Sequence, residues 1–96
     1  MRSQQSILNQ LKEIRKDLVS KYPIDSMAVF GSYARGDFSK ESDVDILIAF
    51  NGKVGSKFIS LADELEEILG VKVDLVSREG IKPKYFRQIE KDLVYV

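Results

Sequence analysis

Gly31-Ser32, then ten positions, then Asp43-x-Asp45 at the head of the apolar run Ile46, Leu47, Ile48: these are the residues of the chain whose types and spacing suit chemistry. Side chains alternate along a strand, so Asp43 and Asp45 point to the same side, about 6.6 Å apart along the backbone. At an effective dielectric near 20 two carboxylates at that spacing repel by about 2.5 kcal/mol, a penalty that a divalent cation would reverse. Mg²⁺ is commonly held by one or two carboxylates, its other positions being filled by water and phosphate oxygens, so a sparse Asp-x-Asp suits it. The Gly-Ser turn complements this. A glycine permits close approach, backbone N–H groups at the start of a helical turn attract anions, and the serine hydroxyl adds a hydrogen bond.

The elements that must position these groups follow from the apolar spacing. Ile7, Leu11, Ile14 and Leu18 recur at helical intervals, Leu8 and Val19 widen the stripe, and Tyr22-Pro23 ends it. Met27–Phe30 is a short strand running into Gly31-Ser32, with a helical turn or two through Ala34 and Arg35. Asp37–Ser42 is a polar loop, and a second strand runs from about Asp45 to Phe50 until Asn51-Gly52 turns the chain. Ser56 is a cap for a helix whose inner face carries Phe58, Leu61, Leu65, Ile68 and Leu69, with Gly70 as a left-handed stop. Strand three is expected over Val71–Val76. A last helix opens at Pro83 and carries Tyr85, Phe86 and Ile89, before a short strand over Leu93–Val96. The order αβαβαβαβ predicts an α/β (α+β) fold, a mixed sheet of about four strands with helices packed mainly on one face.

Composition narrows the function classes. The chain has 96 residues, 44% hydrophobic and 31% charged, enough for one modest core, so residues 1–96 are expected to form a single domain. No long apolar run and no signal-peptide core appear, which points to a cytoplasmic protein with no membrane role. Without Cys or His, disulfides, zinc sites and Ser-His or Cys-His nucleophiles are disfavoured, and carboxylates are left as metal ligands. Fifteen basic residues balance fifteen acidic ones, giving no electrostatic footprint for long nucleic acid. Neither Gly-Lys-Ser/Thr nor G-x-G-x-x-G occurs, so P-loop and Rossmann readings fail.

The segment Gly31–Phe50 resembles the signature of the DNA polymerase β nucleotidyltransferase superfamily, most closely its minimal nucleotidyltransferase (MNT) branch. That pattern is Gly-Ser, ten residues, Asp-x-Asp, and Gly31, Ser32, Asp43 and Asp45 match it without a gap. Ala34-Arg35-Gly36 and Ser42 also look like common family wording. The family adds a third carboxylate on a later strand, and Asp74 within Val71–Val76 is the matching residue. The resemblance implies a nucleotidyltransferase fold in which Asp43 and Asp45 bind two Mg²⁺ ions, one for the triphosphate of ATP and one for the acceptor hydroxyl. Asp74 would bind the second ion or accept the hydroxyl proton, and Gly31 and Ser32 would hold the nucleotide phosphates. Arg35 is either a partner for Asp45 or a phosphate contact. Larger members of the superfamily carry extra domains that clamp their acceptor, whereas free-standing MNT proteins resemble antitoxins paired with a HEPN-domain ribonuclease. The implied activity is transfer of AMP to a tyrosine of that toxin within a hetero-oligomer. Two other readings compete. One is a binding antitoxin that blocks its partner by occlusion, with relic carboxylates. The other is an enzyme acting on a small hydroxylated molecule such as an aminoglycoside.

Other conspicuous features have bland readings. Asp63, Glu64, Glu66 and Glu67 are expected on the solvated face of the third helix, and Lys82, Lys84, Arg87 and Lys91 on that of the last. Tyr85 and Phe86 are expected in the core or at an interface.

Overall fold

The computed structural model describes residues 3–96. Helix α1 spans Gln4–Lys21, β1 Ile24–Phe30, α2 Ser32–Arg35, β2 Val44–Phe50, α3 Lys57–Leu69, β3 Val73–Ser77 and α4 Pro83–Ile89; a 3-10 turn at Glu90–Asp92 leads to β4, Val94–Tyr95. The alternation of helix and strand is as the sequence predicts, and so is the four-stranded mixed sheet. Its order is β3-β2-β1-β4. β1 pairs antiparallel with β2 and with β4, while β2 and β3 run parallel because α3 forms the crossover between them.

The alternation within β1 and β2 builds two cores. Met27, Val29, Val44, Ile46 and Ile48 face a cluster completed by Ile7, Leu11 and Leu18 of α1 and Leu61, Leu65 and Leu69 of α3, while Phe30 and Leu47 face the other side, where Ile89 of α4 covers them. Helices therefore lie mainly on one face, with α4 opposite. Local signals act where the sequence places them. Ser3 caps α1 by accepting the Ser6 N–H, Gly70 ends α3 with φ 71° and donates to Glu66 O, and Pro83 opens α4.

Several details differ from expectation. β1 begins at Ile24, three residues before the apolar run; the polar Asp25 and Ser26 hide this start, and the pairing shifts register there. β3 begins at Val73, since Val71 and Lys72 are used to leave Gly70. Ser56 stands at the helix N-terminus without a side-chain capping bond, its own backbone being already helical. Val19, on the edge of the α1 stripe, is 43% exposed, and Tyr85 points outward on α4. The acids of α3 are not a uniformly solvated face. Glu64 accepts from Lys21 Nζ at 2.8 Å and from Tyr22 Oη at 2.9 Å, and Glu66 accepts the Val73 N–H at 2.9 Å. Lys21 pulls the Glu64 carboxyl below its usual range. Among the described residues no helix is long and apolar enough to cross a membrane.

Candidate active site

Asp45 and Asp74 are register partners on the parallel strands β2 and β3, and Phe30 is the antiparallel partner of Asp45 on β1. Paired residues on neighbouring strands share a side of the sheet, so the row Phe30, Asp45, Asp74 crosses three strands on the face that α4 partly covers. The second strand begins one residue earlier than predicted, at Val44, leaving Asp43 just ahead of it. The ends of the two strands are fastened together by Val44 N–H donating to Lys72 O at 2.9 Å. Glu66 does the same for β3 from behind, through Val73.

The glycine turn closes the site from β1. Gly31 has φ 73° and ψ −151°, a conformation open essentially to glycine alone. Its missing side chain is also used, because a methyl group there would run into Asp45 Oδ2. The backbone of the turn thus lies directly against the central carboxylate. α2 is a single turn, so it offers N–H groups rather than a sizeable dipole. Its fixed position comes from Gln4 of α1, whose Nε2 donates to Ala34 O at 2.9 Å, and from Tyr33, which is buried in the main core and stacks on Phe38 with ring centres 4.1 Å apart. The loop then folds on itself. Ser39 N–H donates to Ser42 Oγ and Ser42 N–H to Ser39 O, which delivers the chain to Asp43.

The electrostatics carry the mark of crowded acids. Asp45 is half-buried, and its pKa rises from 3.8 to about 6, through burial first, then the neighbouring charges of Asp74 and Asp43, with Arg35 opposing them. Asp43 and Asp74 are exposed. All six residues singled out from the sequence, Gly31, Ser32, Arg35, Asp43, Asp45 and Asp74, therefore gather at one end of the sheet. Arg35 does not make the direct bond to Asp45 that is one of its two expected roles. It donates instead through Nε to Asp37 and through Nη1 to Asp92, and acts on Asp45 through its charge. Asp92, which sequence reasoning missed, lies 57 residues away. Among the described residues no three carboxylates converge into a ready-made metal cage. The donor set still fits Mg²⁺, which takes hard oxygen ligands and needs only one or two carboxylates, and Asp45 carries the unfavourable charge that a cation would relieve.

A family model for the nucleotidyltransferase domain matches residues 11–96. The chain belongs to this family. A relative from Methanocaldococcus jannaschii with the provisional name protein adenylyltransferase MJ1379 is 44% identical over 97 residues, covering 93% of this nucleotidyltransferase and 97% of the relative. A solved structure provisionally described as a minimal nucleotidyltransferase superposes with a TM-score of 0.84 at 28% identity, covering 99% of this chain and 97% of that one. The fold also recurs, at TM-score 0.71 and 22% identity, in a complex of a tri-AMPylated Shewanella oneidensis HEPN toxin with its MNT antitoxin, covering 96% and 70% of the two chains. The resemblance read from the glycine-serine and Asp-x-Asp spacing is thus upheld. The candidate site also includes the close approach of the Gly31 backbone to Asp45, which no spacing rule reveals.

Proposed function

We propose that this nucleotidyltransferase, acting as one domain over residues 1–96, transfers AMP from ATP to a tyrosine hydroxyl of a HEPN-domain partner and so neutralises that partner as a toxin. The observation that carries the reading is the Gly31 backbone set against Asp45, with Asp74 beside it on the next strand. A phosphate-binding turn and a carboxylate pair in contact are suited to nucleotidyl transfer. The exposure of Asp43 and Asp74 favours an acceptor that brings its own surface, as a folded protein does.

In this reading the N–H groups of the turn and the Ser32 hydroxyl bind the nucleotide phosphates, and Arg35 adds positive charge beside them. Asp43, Asp45 and Asp74 would hold two Mg²⁺ ions. When bound, Mg²⁺ offsets phosphate charge and lowers the pKa of the acceptor hydroxyl. Asp45 is protonated below about pH 6, and in its ionised form above that it would be available to hold a cation. Asp74 accepts the hydroxyl proton. The tyrosine oxygen forms a bond to the α-phosphorus as the bond from that phosphorus to the bridging oxygen breaks, and pyrophosphate leaves with the electron pair.

The test is intact-mass and peptide mass spectrometry on the HEPN-domain partner after incubation with this protein, ATP and Mg²⁺, beside an Asp43→Asn/Asp45→Asn control. An AMP adduct on tyrosine that disappears in the control is the expected result. Neutralisation without any adduct, equal for both proteins, would replace this reading with simple occlusion. Pyrophosphate release with small hydroxylated acceptors alone would replace it with a small-molecule transferase.

A further inference from the structure

Arg35 leaves its turn with two acids on it. Nε donates to Asp37 Oδ2 and Nη1 to Asp92 Oδ2, each at 3.1 Å. These acids are unequal. The Asp37 side chain is 61% exposed and belongs to the same turn, two residues on; the Asp92 side chain is 16% exposed and belongs to a different element. Asp92 closes the 3-10 turn after α4, and its neighbours Ile89 and Leu93 are packed with Phe30 and Leu47 against the sheet. A partner on the same turn moves with the arginine and fixes nothing. A partner anchored beneath the carboxylate row fixes the guanidinium relative to Asp45.

The guanidinium is a rigid planar fork of five N–H donors, of which these bonds engage two and leave three. Charge alone argues against the arrangement as a phosphate contact, because two carboxylates on one guanidinium leave the group net negative. Geometry explains what charge does not. We infer that Asp92 is a positioning residue for nucleotide binding: it holds the Arg35 guanidinium at the Asp45 end of the phosphate turn so that its remaining donors meet the polyphosphate, while the exposed Asp37 gives way. This rests on the nucleotide reading above and names a residue that acts through Arg35 rather than on the reacting atoms.

The two acids supply the test. Removing either one takes a negative charge from beside a polyanion, so an effect of charge alone would tighten binding in both variants. Binding of the Mg²⁺ complex of α,β-methylene ATP, an analogue whose α–β linkage is not cleaved, would be measured by titration calorimetry with melting curves alongside. Asp37→Ala is expected to bind as tightly as the unaltered protein or tighter. Asp92→Ala is expected to bind about 5- to 20-fold more weakly, the scale of one charge-assisted contact, and Asp92→Glu to recover most of the loss. In an Arg35→Ala background, Asp92→Ala is expected to add less than about twofold, since non-additivity marks residues that act as a unit. Asp92→Ala binding as well as Asp37→Ala would overturn the inference. So would an equal further loss in the Arg35→Ala background, the mark of a general structural defect. No binding by the unaltered protein would remove the nucleotide reading itself, and this inference with it.

Discussion

Replacing Asp45 with asparagine should make the metal-free protein more stable at neutral pH. Folding lifts this carboxyl from 3.8 to about 6, so the folded chain binds the proton more tightly than the unfolded chain. The resulting stabilisation is fully present below about pH 4 and is lost as pH rises through about 6. At 1.36 kcal/mol for each tenfold change in proton affinity, the ionised group costs the fold about 3 kcal/mol at pH 7.5 before screening. Asp45 is only half-buried, and solvent screening reduces that to about 1.5 kcal/mol. Asparagine keeps the shape and removes the charge. In EDTA at pH 7.5, Asp45→Asn should therefore raise the urea midpoint by about 1 M for a chain of this size and the melting temperature by about 5–10 °C. The gain should shrink towards zero by pH 4, where the native carboxyl is protonated. Asp74→Asn should give part of the same gain, since the charge of Asp74 is the largest charged cause of the shift. With Mg²⁺ restored, the unaltered protein should recover stability that Asp45→Asn does not. A destabilised Asp45→Asn at pH 7.5, or a gain equally large at pH 4, would refute the reasoning.

Other expectations follow from the same contacts. Mg²⁺ affinity, measured by calorimetry, should fall by up to about tenfold for each pH unit below about 6, because the proton on Asp45 competes with the cation. Gly31→Ala should abolish AMP transfer and lower stability by about 1–3 kcal/mol in denaturant titrations, since alanine there is strained and displaces Asp45. Tyr22→Phe should cost about 0.5–1.5 kcal/mol in the same assay by removing the hydroxyl from Glu64, with transfer unchanged. Leu65→Ala, fully buried between α3 and the sheet, should cost about 2–5 kcal/mol.

The site was legible where local chemistry dictates it. Gly31, Ser32, Asp43 and Asp45 sit on one turn and the strand beside it, so their spacing in the chain is close to their spacing in the fold. Asp74 was reachable because a residue of that type lies within an apolar segment and a family pattern calls for one. Asp92 was not, because an ion pair across 57 residues depends on how α4 and the turn after it pack under the sheet. The same limit explains the start of β1, where Asp25 and Ser26 read as a loop until the pairing with β2 makes them strand. It explains Tyr85 too: a helix with one apolar side can bury Phe86 and Ile89 while an aromatic neighbour faces out, and periodicity over seven residues cannot choose between them.

The sheet order also sets a timetable for the newly made chain. β1 and β2, with the glycine turn and the Asp-x-Asp, emerge first and can pair with each other. The parallel strand that brings Asp74 can dock only after the α3 crossover has formed, and Asp92 and β4 reach β1 and Arg35 only when residues near the end of the described chain have been synthesised. A half-made chain thus holds the glycine turn and the Asp-x-Asp without Asp74 or the Asp92 partner of Arg35. Completion of the candidate site coincides with closure of the sheet, so a chain arrested partway through synthesis would lack that arrangement of carboxylates and arginine.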